Sequence, residues 1–169
     1  MSIYPAARLR RTRMTAWSRA LHRETALSPA NLIWPLFPTE GHDVAVPVGT
    51  MPGVERLSVD RLAKAAKEAA RLGIPAVALF PHTAPDKRSE DAKEALNPDN
   101  LICRAIRAIK DAAPEVGVLT DVALDLYTSH GHDGLLSEAG EILNDATVEM
   151  LVGQSLNQAR AGCSGVLTY

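Results

Sequence analysis

The chain has 169 residues, 46% hydrophobic and 22% charged, with a formal net charge of −2. These proportions exclude a disordered or collagen-like chain and suit one soluble domain with a sizeable core. The balanced charge and 4% aromatic content offer no basis for a nucleic-acid or anionic-membrane partner, and no run of about 18 apolar residues could span a bilayer.

Residues 1–30 carry Arg8, Arg10, Arg11, Arg13, Arg19 and Arg23 with few large apolar residues between them. Such a segment is a basic arm, either a solvated tail or a strap around a neighbouring subunit. It has no apolar run behind the arginines, so a secretory signal is not expected. With only two cysteines, Cys103 and Cys163, no disulfide framework is available and the cytoplasm is the expected compartment.

Residues 31–169 alternate between strand and helix patterns. Leu32 to Phe37 reads as a buried strand, weakened by Pro35. Residues 41–56 read as loop or short hairpin. Ser58 is the expected N-cap of a helix with Leu62, Ala65, Ala66, Ala69 and Leu72 on one face, ended by Gly73. Ala76 to Phe80 is a second strand. After a polar stretch, Asn97 as cap and Pro98 at the first turn open a helix bearing Leu101, Ile102, Ala105, Ile106 and Ile109. Val116 to Val122 is a third strand, followed by a long Gly/His/Asp loop. Asn144 or Asp145 caps a last helix, whose apolar face is expected at Val148, Leu151, Val152, Leu156 and Ala159. Gly162 ends it, and Ser164 to Tyr169 starts a fourth strand.

This βα alternation predicts parallel strands joined by right-handed crossovers. A doubly wound sheet would want a Gly-rich phosphate turn after its first strand, and none is present. A (β/α)8 barrel needs about 250 residues, so this chain would supply about its first half. Long loops after the second and third strands, at the end where barrel active sites lie, favour the barrel.

The informative loop runs Asp121-Val-Ala-Leu-Asp125-Leu-Tyr127-Thr-Ser129-His130-Gly-His132-Asp133-Gly134. Asp121 ends a strand, where barrel catalytic groups sit. Asp125, His130, His132 and Asp133 follow closely, and carboxylates and imidazoles so near could ligate a divalent cation or move protons. A polar loop whose aspartates cap turns is the plainer alternative. With no thiolate here, oxygen ligation would suit Mg²⁺ better than tetrahedral zinc.

The same segments resemble the porphobilinogen synthase (δ-aminolevulinic acid dehydratase) family. The resemblance is carried by Arg8-Leu-Arg-Arg11, Leu32-Ile-Trp-Pro-Leu-Phe37, Met51-Pro-Gly-Val54 with Arg56, Ala78-Leu-Phe80 and Arg104-Ala-Ile-Arg-Ala-Ile-Lys110. It continues through Thr120-Asp-Val-Ala-Leu-Asp125, Tyr127-Thr-Ser-His-Gly-His-Asp-Gly134 and Ile142-Leu-Asn-Asp145, to about residue 162. It implies a (β/α)8 barrel with an arm that embraces a neighbour, usually in an octamer. The implied reaction condenses two 5-aminolevulinate molecules to porphobilinogen with loss of two waters, in tetrapyrrole biosynthesis, without an organic cofactor. Arg8, Arg10 and Arg11 then belong to the assembly arm, Asp121 lines the active site, and Phe80 and Ser129 lie on the substrate side. Zinc-dependent members carry three cysteines where this chain has Ala123, Asp125 and Asp133, so the resemblance is to the zinc-independent branch, often magnesium-stimulated. Asp125 and Asp133 are the candidate ligands.

The family's two Schiff-base lysines lie in the second half of its barrel and have no counterpart here. Lys64, Lys67, Lys87, Lys93 and Lys110 read as surface residues. The closing run Cys163-Ser-Gly-Val-Leu-Thr-Tyr169 departs from the family's fourth strand, which carries the expectation of a frameshift or early stop inside a strand. Such a half-barrel would aggregate or need a partner, because strand edges and apolar faces stay open. Three functions compete: half of the enzyme, inactive alone; a non-catalytic module docking on a full-length homologue through the arm; and a small carboxylate metal-binding domain.

Overall fold

The computed structural model describes Pro5 and residues 10–168. Arg8 of the arm and Tyr169 of the closing run lie outside the described residues. Among those described, no helix is long and apolar enough to cross a membrane. The arm holds a 3₁₀ turn at Arg11–Arg13 and a short helix, α1 (Ala16–Leu21), which the sequence reading did not anticipate. Thr15 caps it, its hydroxyl accepting from the Ser18 N–H at 3.4 Å. Arg10 and Arg11 are exposed, as are Met14, Trp17, Leu21 and Leu27.

Six strands and three longer helices follow: β1 (Ile33–Pro38), β2 (Ala45–Pro47), β3 (Glu55–Leu57), α2 (Val59–Leu72), β4 (Ala76–Leu79), α3 (Leu101–Ala112), β5 (Gly117–Asp121), α4 (Asn144–Ala161) and β6 (Gly165–Leu167). They make one sheet in the order β2-β3-β1-β4-β5-β6. β2 and β3 are an antiparallel hairpin, while β1, β4, β5 and β6 run parallel and lie side by side in chain order. The intervening helices also pack in chain order, α2 on α3 and α3 on α4. Neighbouring crossover helices that touch must share one face of the sheet. That is the single winding of a barrel; a doubly wound sheet divides its helices between two faces.

Pro35 sits within β1 without breaking it. The carbonyls of Leu36 and Pro38 accept from Phe80 and His82 on the β4 side, so alternate residues, Pro35 among them, turn their amide positions the other way. β3 meets β1 only at Phe37 and Pro38, so no ladder bond is lost at Pro35.

The core lies between sheet and helices. Leu36, Val77, Leu79, Val116 and Val118 pack there on Leu62, Ala66 and Ala69 of α2 and Ile102, Cys103, Ala105, Ile106 and Ile109 of α3. Cys103 fills space, as its place on an apolar helix face implied, and Trp34 packs half-buried at the margin. Gly73 and Gly162 close α2 and α4 with φ of 76° and 103°, the left-handed conformation that terminates a helix without a Cβ clash.

Four local expectations differ. Ser58 is the N-cap of α2 by position, but its hydroxyl accepts from the Val44 N–H at 2.9 Å and donates to Asp60 at 2.7 Å, tying the hairpin to the helix. α3 is capped by Asn100, which accepts from the Cys103 N–H at 2.9 Å; Asn97 instead accepts from the Asp99 N–H at 3.0 Å. α4 already includes Asn144 and Asp145, with Leu143 as a cap that makes no side-chain bond. Most consequentially, α4 turns the opposite face inward. Thr147, Gln154, Asn157 and Gln158 are buried, whereas Val148, Val152 and Leu156 are about half exposed.

Candidate active site

The sheet face away from the helices carries the site. Leu36 pairs with Leu79 and Leu79 with Thr120, all on the helix side. The next residues along, Phe37, Phe80 and Asp121, therefore stand level on the opposite face at the carboxyl ends of β1, β4 and β5. The Phe37 and Phe80 rings lie 6.0 Å apart. Asp121 is only 7% exposed, and Leu167 of β6 is its pairing neighbour. A buried carboxylate thus stands in register with Phe80 on the neighbouring strand and Phe37 one strand further, on the sheet face away from the helices.

α4 determines the backbone that carries this carboxylate. Gln158 Nε2 donates to the Asp121 carbonyl at 3.2 Å, and its Oε1 accepts from Thr120 Oγ1 at 2.7 Å. One turn earlier, Gln154 Nε2 donates to the Ala123 carbonyl at 3.2 Å. Asn157 Nδ2 donates to the carbonyls of Ala95 and Asn97 at 3.2 and 2.9 Å, reaching the loop after β4. These glutamines and Asn157 escaped the sequence reading, which followed the apolar residues of α4. The signal available was the pair Gln154 and Gln158, four apart and so on one face.

The loops after β4 and β5 are stitched together above the site. The Ser89 N–H donates to the Tyr127 carbonyl at 3.0 Å, and the Ser129 N–H returns to the Ser89 carbonyl at 3.1 Å. Ser129 itself is exposed at the rim. Tyr127 is buried with Ala92, Ala95 and Leu124, and burial pushes its phenol well above the ordinary value. His82 follows β4. Partial burial, then the charges of Arg56 and Arg88, lower its pKa, which favours a neutral ring.

Asp133 accepts at Oδ1 from the backbone N–H groups of Leu124 and Asp125, at 3.1 and 3.3 Å, and so folds the loop back on the end of β5. Asp125 is half-buried; burial first, then the charges of Asp133 and Asp121, raise its pKa. His130 Nδ1 accepts from the His132 N–H at 3.2 Å, and the His132 carbonyl accepts from Thr128 Oγ1 at 2.8 Å. Both imidazoles are exposed, and the His130 ring and the His132 backbone brace the loop. Among the described residues, no group of three His, Cys, Asp or Glu side chains converges in a way that could hold a metal ion.

A family model described as delta-aminolevulinic acid dehydratase matches residues 6–168. The chain belongs to that family. It is 54% identical over 158 residues to the delta-aminolevulinic acid dehydratase of Bradyrhizobium diazoefficiens, covering 94% of this chain and 44% of that protein. With the chloroplastic enzyme of Physcomitrium patens it shares 45% identity over 165 residues, 95% of this chain and 37% of the other. The crystal structure of the Toxoplasma gondii dehydratase, or porphobilinogen synthase, superposes with a TM-score of 0.90 at 45% identity, covering 95% of this chain and 46% of that one. That structure was determined in complex with the reaction product porphobilinogen. The chain spans less than half the length of these dehydratases, and its parallel strands are a partial barrel of their kind.

None of the five lysines is buried. Lys64, Lys67, Lys87 and Lys93 are exposed, and Lys110 Nζ donates to the carbonyls of Pro114 and Val116 at 3.0 and 2.9 Å, at the other end of β5.

Proposed function

We propose that this chain forms the first half of a porphobilinogen-forming active site, in which two 5-aminolevulinate molecules condense with loss of two waters. The observation that carries the reading is the buried Asp121 carboxylate at the carboxyl end of β5, level with Phe80, in a chain of the dehydratase family. Asp121 accepts and returns protons, Phe80 packs against substrate carbons, and Ser129 offers a hydroxyl from the rim. A Schiff base needs a neutral, desolvated lysine amine. The exposed lysines and the carbonyl-bound Lys110 do not supply one, so that nucleophile comes from the remainder of the barrel.

The arm, through Arg10, Arg11 and the exposed Trp17, is the assembly strap that joins copies of the completed barrel. Asp125 and Asp133 shape the loop, and any Mg²⁺ would add charge stabilisation there; no proton transfer is assigned to it. The two free cysteines suit a reducing cytoplasm. A second reading, a non-catalytic module docking on a full-length homologue, is favoured by the placement of the lysines alone.

The test is a borohydride trap with 5-aminolevulinate, read by intact mass. The chain by itself is expected to stay unlabelled, and a complemented barrel is expected to be labelled on the other half and to make porphobilinogen. An adduct on this chain alone would overturn the division of labour. A folded, complete barrel that forms no porphobilinogen would overturn the function.

A further inference from the structure

A row of four side chains crosses the sheet face away from the helices. Arg56 of β3 pairs with Phe37 of β1, and the Phe37 level continues through Phe80 to Asp121. Leu57, the next residue of β3, packs into the core on the helix side, so Arg56 stands on the other face with Phe37. The order across the sheet is therefore cation, ring, ring, carboxylate. Three strand spacings, about 14 Å, separate the backbones of Arg56 and Asp121. The two rings between them, 6.0 Å apart, offer an apolar floor for a short carbon chain.

Arg56 differs from the other arginines of the sheet and its helices. Arg61 is paired with Asp43, Arg104 with Glu40 and Arg107 with Asp99. Arg88 donates from Nε and Nη2 to the Thr83 carbonyl at 3.2 and 3.1 Å. Arg56 is half-buried, and among the described residues its guanidinium has neither an ion pair nor a hydrogen bond. Its surroundings add positive charge. Burial first, then the charges of Arg56 and Arg88, lower the pKa of His82, and Glu40, which follows β1, is already taken by Arg104. A partly desolvated guanidinium without a counter-ion is costly unless an anion meets it. Its planar fork matches the two oxygens of a carboxylate.

We infer that Arg56 binds the carboxylate of one 5-aminolevulinate molecule, whose carbon chain lies over Phe37 and Phe80 with its reacting end toward Asp121. The inference rests on the porphobilinogen-forming reading above and adds a specificity residue to it, at the opposite end of the row from the proton-transfer group. Such a row selects an acid that carries a short apolar chain. A carboxylate without the chain leaves the rings uncovered, and a tetrahedral anion gains nothing from them.

The test titrates the full 169-residue chain with levulinate, which is the substrate without its amine, and with acetate and inorganic phosphate, following the ring resonances of Phe37 and Phe80. Levulinate is expected to shift them and to bind about 10-fold tighter than acetate, because its extra carbons cover the rings. Arg56→Gln is expected to weaken levulinate by at least about 10-fold, and Arg56→Lys to keep part of the affinity, having the charge without the fork. Lys64→Gln, which removes an exposed charge from α2, is expected to change nothing. No shift with levulinate, a shift that Arg56→Gln leaves intact, or phosphate binding as tight as levulinate overturns the inference. In a completed barrel, Arg56→Gln should raise KM for 5-aminolevulinate more than it lowers kcat, since binding of a remote carboxylate is shared by ground and transition states. An unchanged KM in a barrel that makes porphobilinogen overturns the inference and leaves the function standing. A barrel that binds levulinate through Arg56 and forms no porphobilinogen supports the site and removes only the proposed function.

Discussion

Gln158 donates from Nε2 to the backbone carbonyl of Asp121 across 3.2 Å, joining a side chain in the last turn of α4 to the strand residue on which the proposed chemistry depends. The same amide accepts from Thr120 Oγ1, so both of its polar ends are used. Gln158→Leu would keep the volume and strip both partners. Left buried, the Thr120 hydroxyl and Asp121 carbonyl cost about 1–3 kcal/mol. Urea denaturation should show that loss, and a variant as stable as the parent would mean that α4 does not hold the end of β5.

Asn100 rather than Asn97 caps α3. Its Oδ1 accepts from the Cys103 N–H at 2.9 Å, and its Nδ2 donates to the Glu94 carbonyl at 3.1 Å. Asn100→Ala is expected to cost about 1–2 kcal/mol in thermal or chemical unfolding. Asn97→Ala, at the position that Pro98 suggests, should cost less. A reversed ranking would return the cap to Asn97.

Burial pushes the Cys103 thiol up to about 11, while Cys163 is only half-buried. Near neutral pH, a disulfide reagent should therefore titrate Cys163 in the folded chain and reach Cys103 only after denaturation. Two thiols reacting at one rate in the native protein would contradict the packing of α3.

Asp125 has its pKa raised by burial and by the Asp133 and Asp121 charges. A carboxyl raised in the folded state favours folding fully below its unfolded value, near 3.8, and that contribution is lost as pH rises through the folded value. Asp125→Asn should therefore raise the melting temperature at neutral pH, and the gain should vanish on acidification through that window. A gain that persists below the unfolded pKa would have another cause.

Much of the fold is legible in the residues because it is local. The apolar spacing of α2 and α3, Gly73 and Gly162 as left-handed terminators, and the β-branched run ending at Asp121 each act through near neighbours in the chain. Asp121 was picked out the same way, as the end of a buried run, whereas Phe80 became a candidate only through the family resemblance, which drew on the same motifs. The cap of α3 was harder. Asn97-Pro98 and Asn100 both fit a helix start, and only the carbonyl of Glu94, turned back by its 3₁₀ turn, selects Asn100.

The chain by itself determined the order of strands and helices, the barrel lineage and the residues brought to the strand ends. Periodicity and turn chemistry are properties of short stretches. Tertiary structure alone decided which face of α4 is buried and what Asp133 does. Apolar spacing makes Val148, Val152 and Leu156 look like core, yet backbone carbonyls at Asp121, Ala123, Ala95 and Asn97 needed donors, and Gln158, Gln154 and Asn157 supply them. Likewise only the fold brings the N–H groups of Leu124 and Asp125 to Asp133 Oδ1, which makes that carboxylate a loop brace. Buried polar backbone must be satisfied by whatever the fold brings near it, and that demand is written in no local pattern.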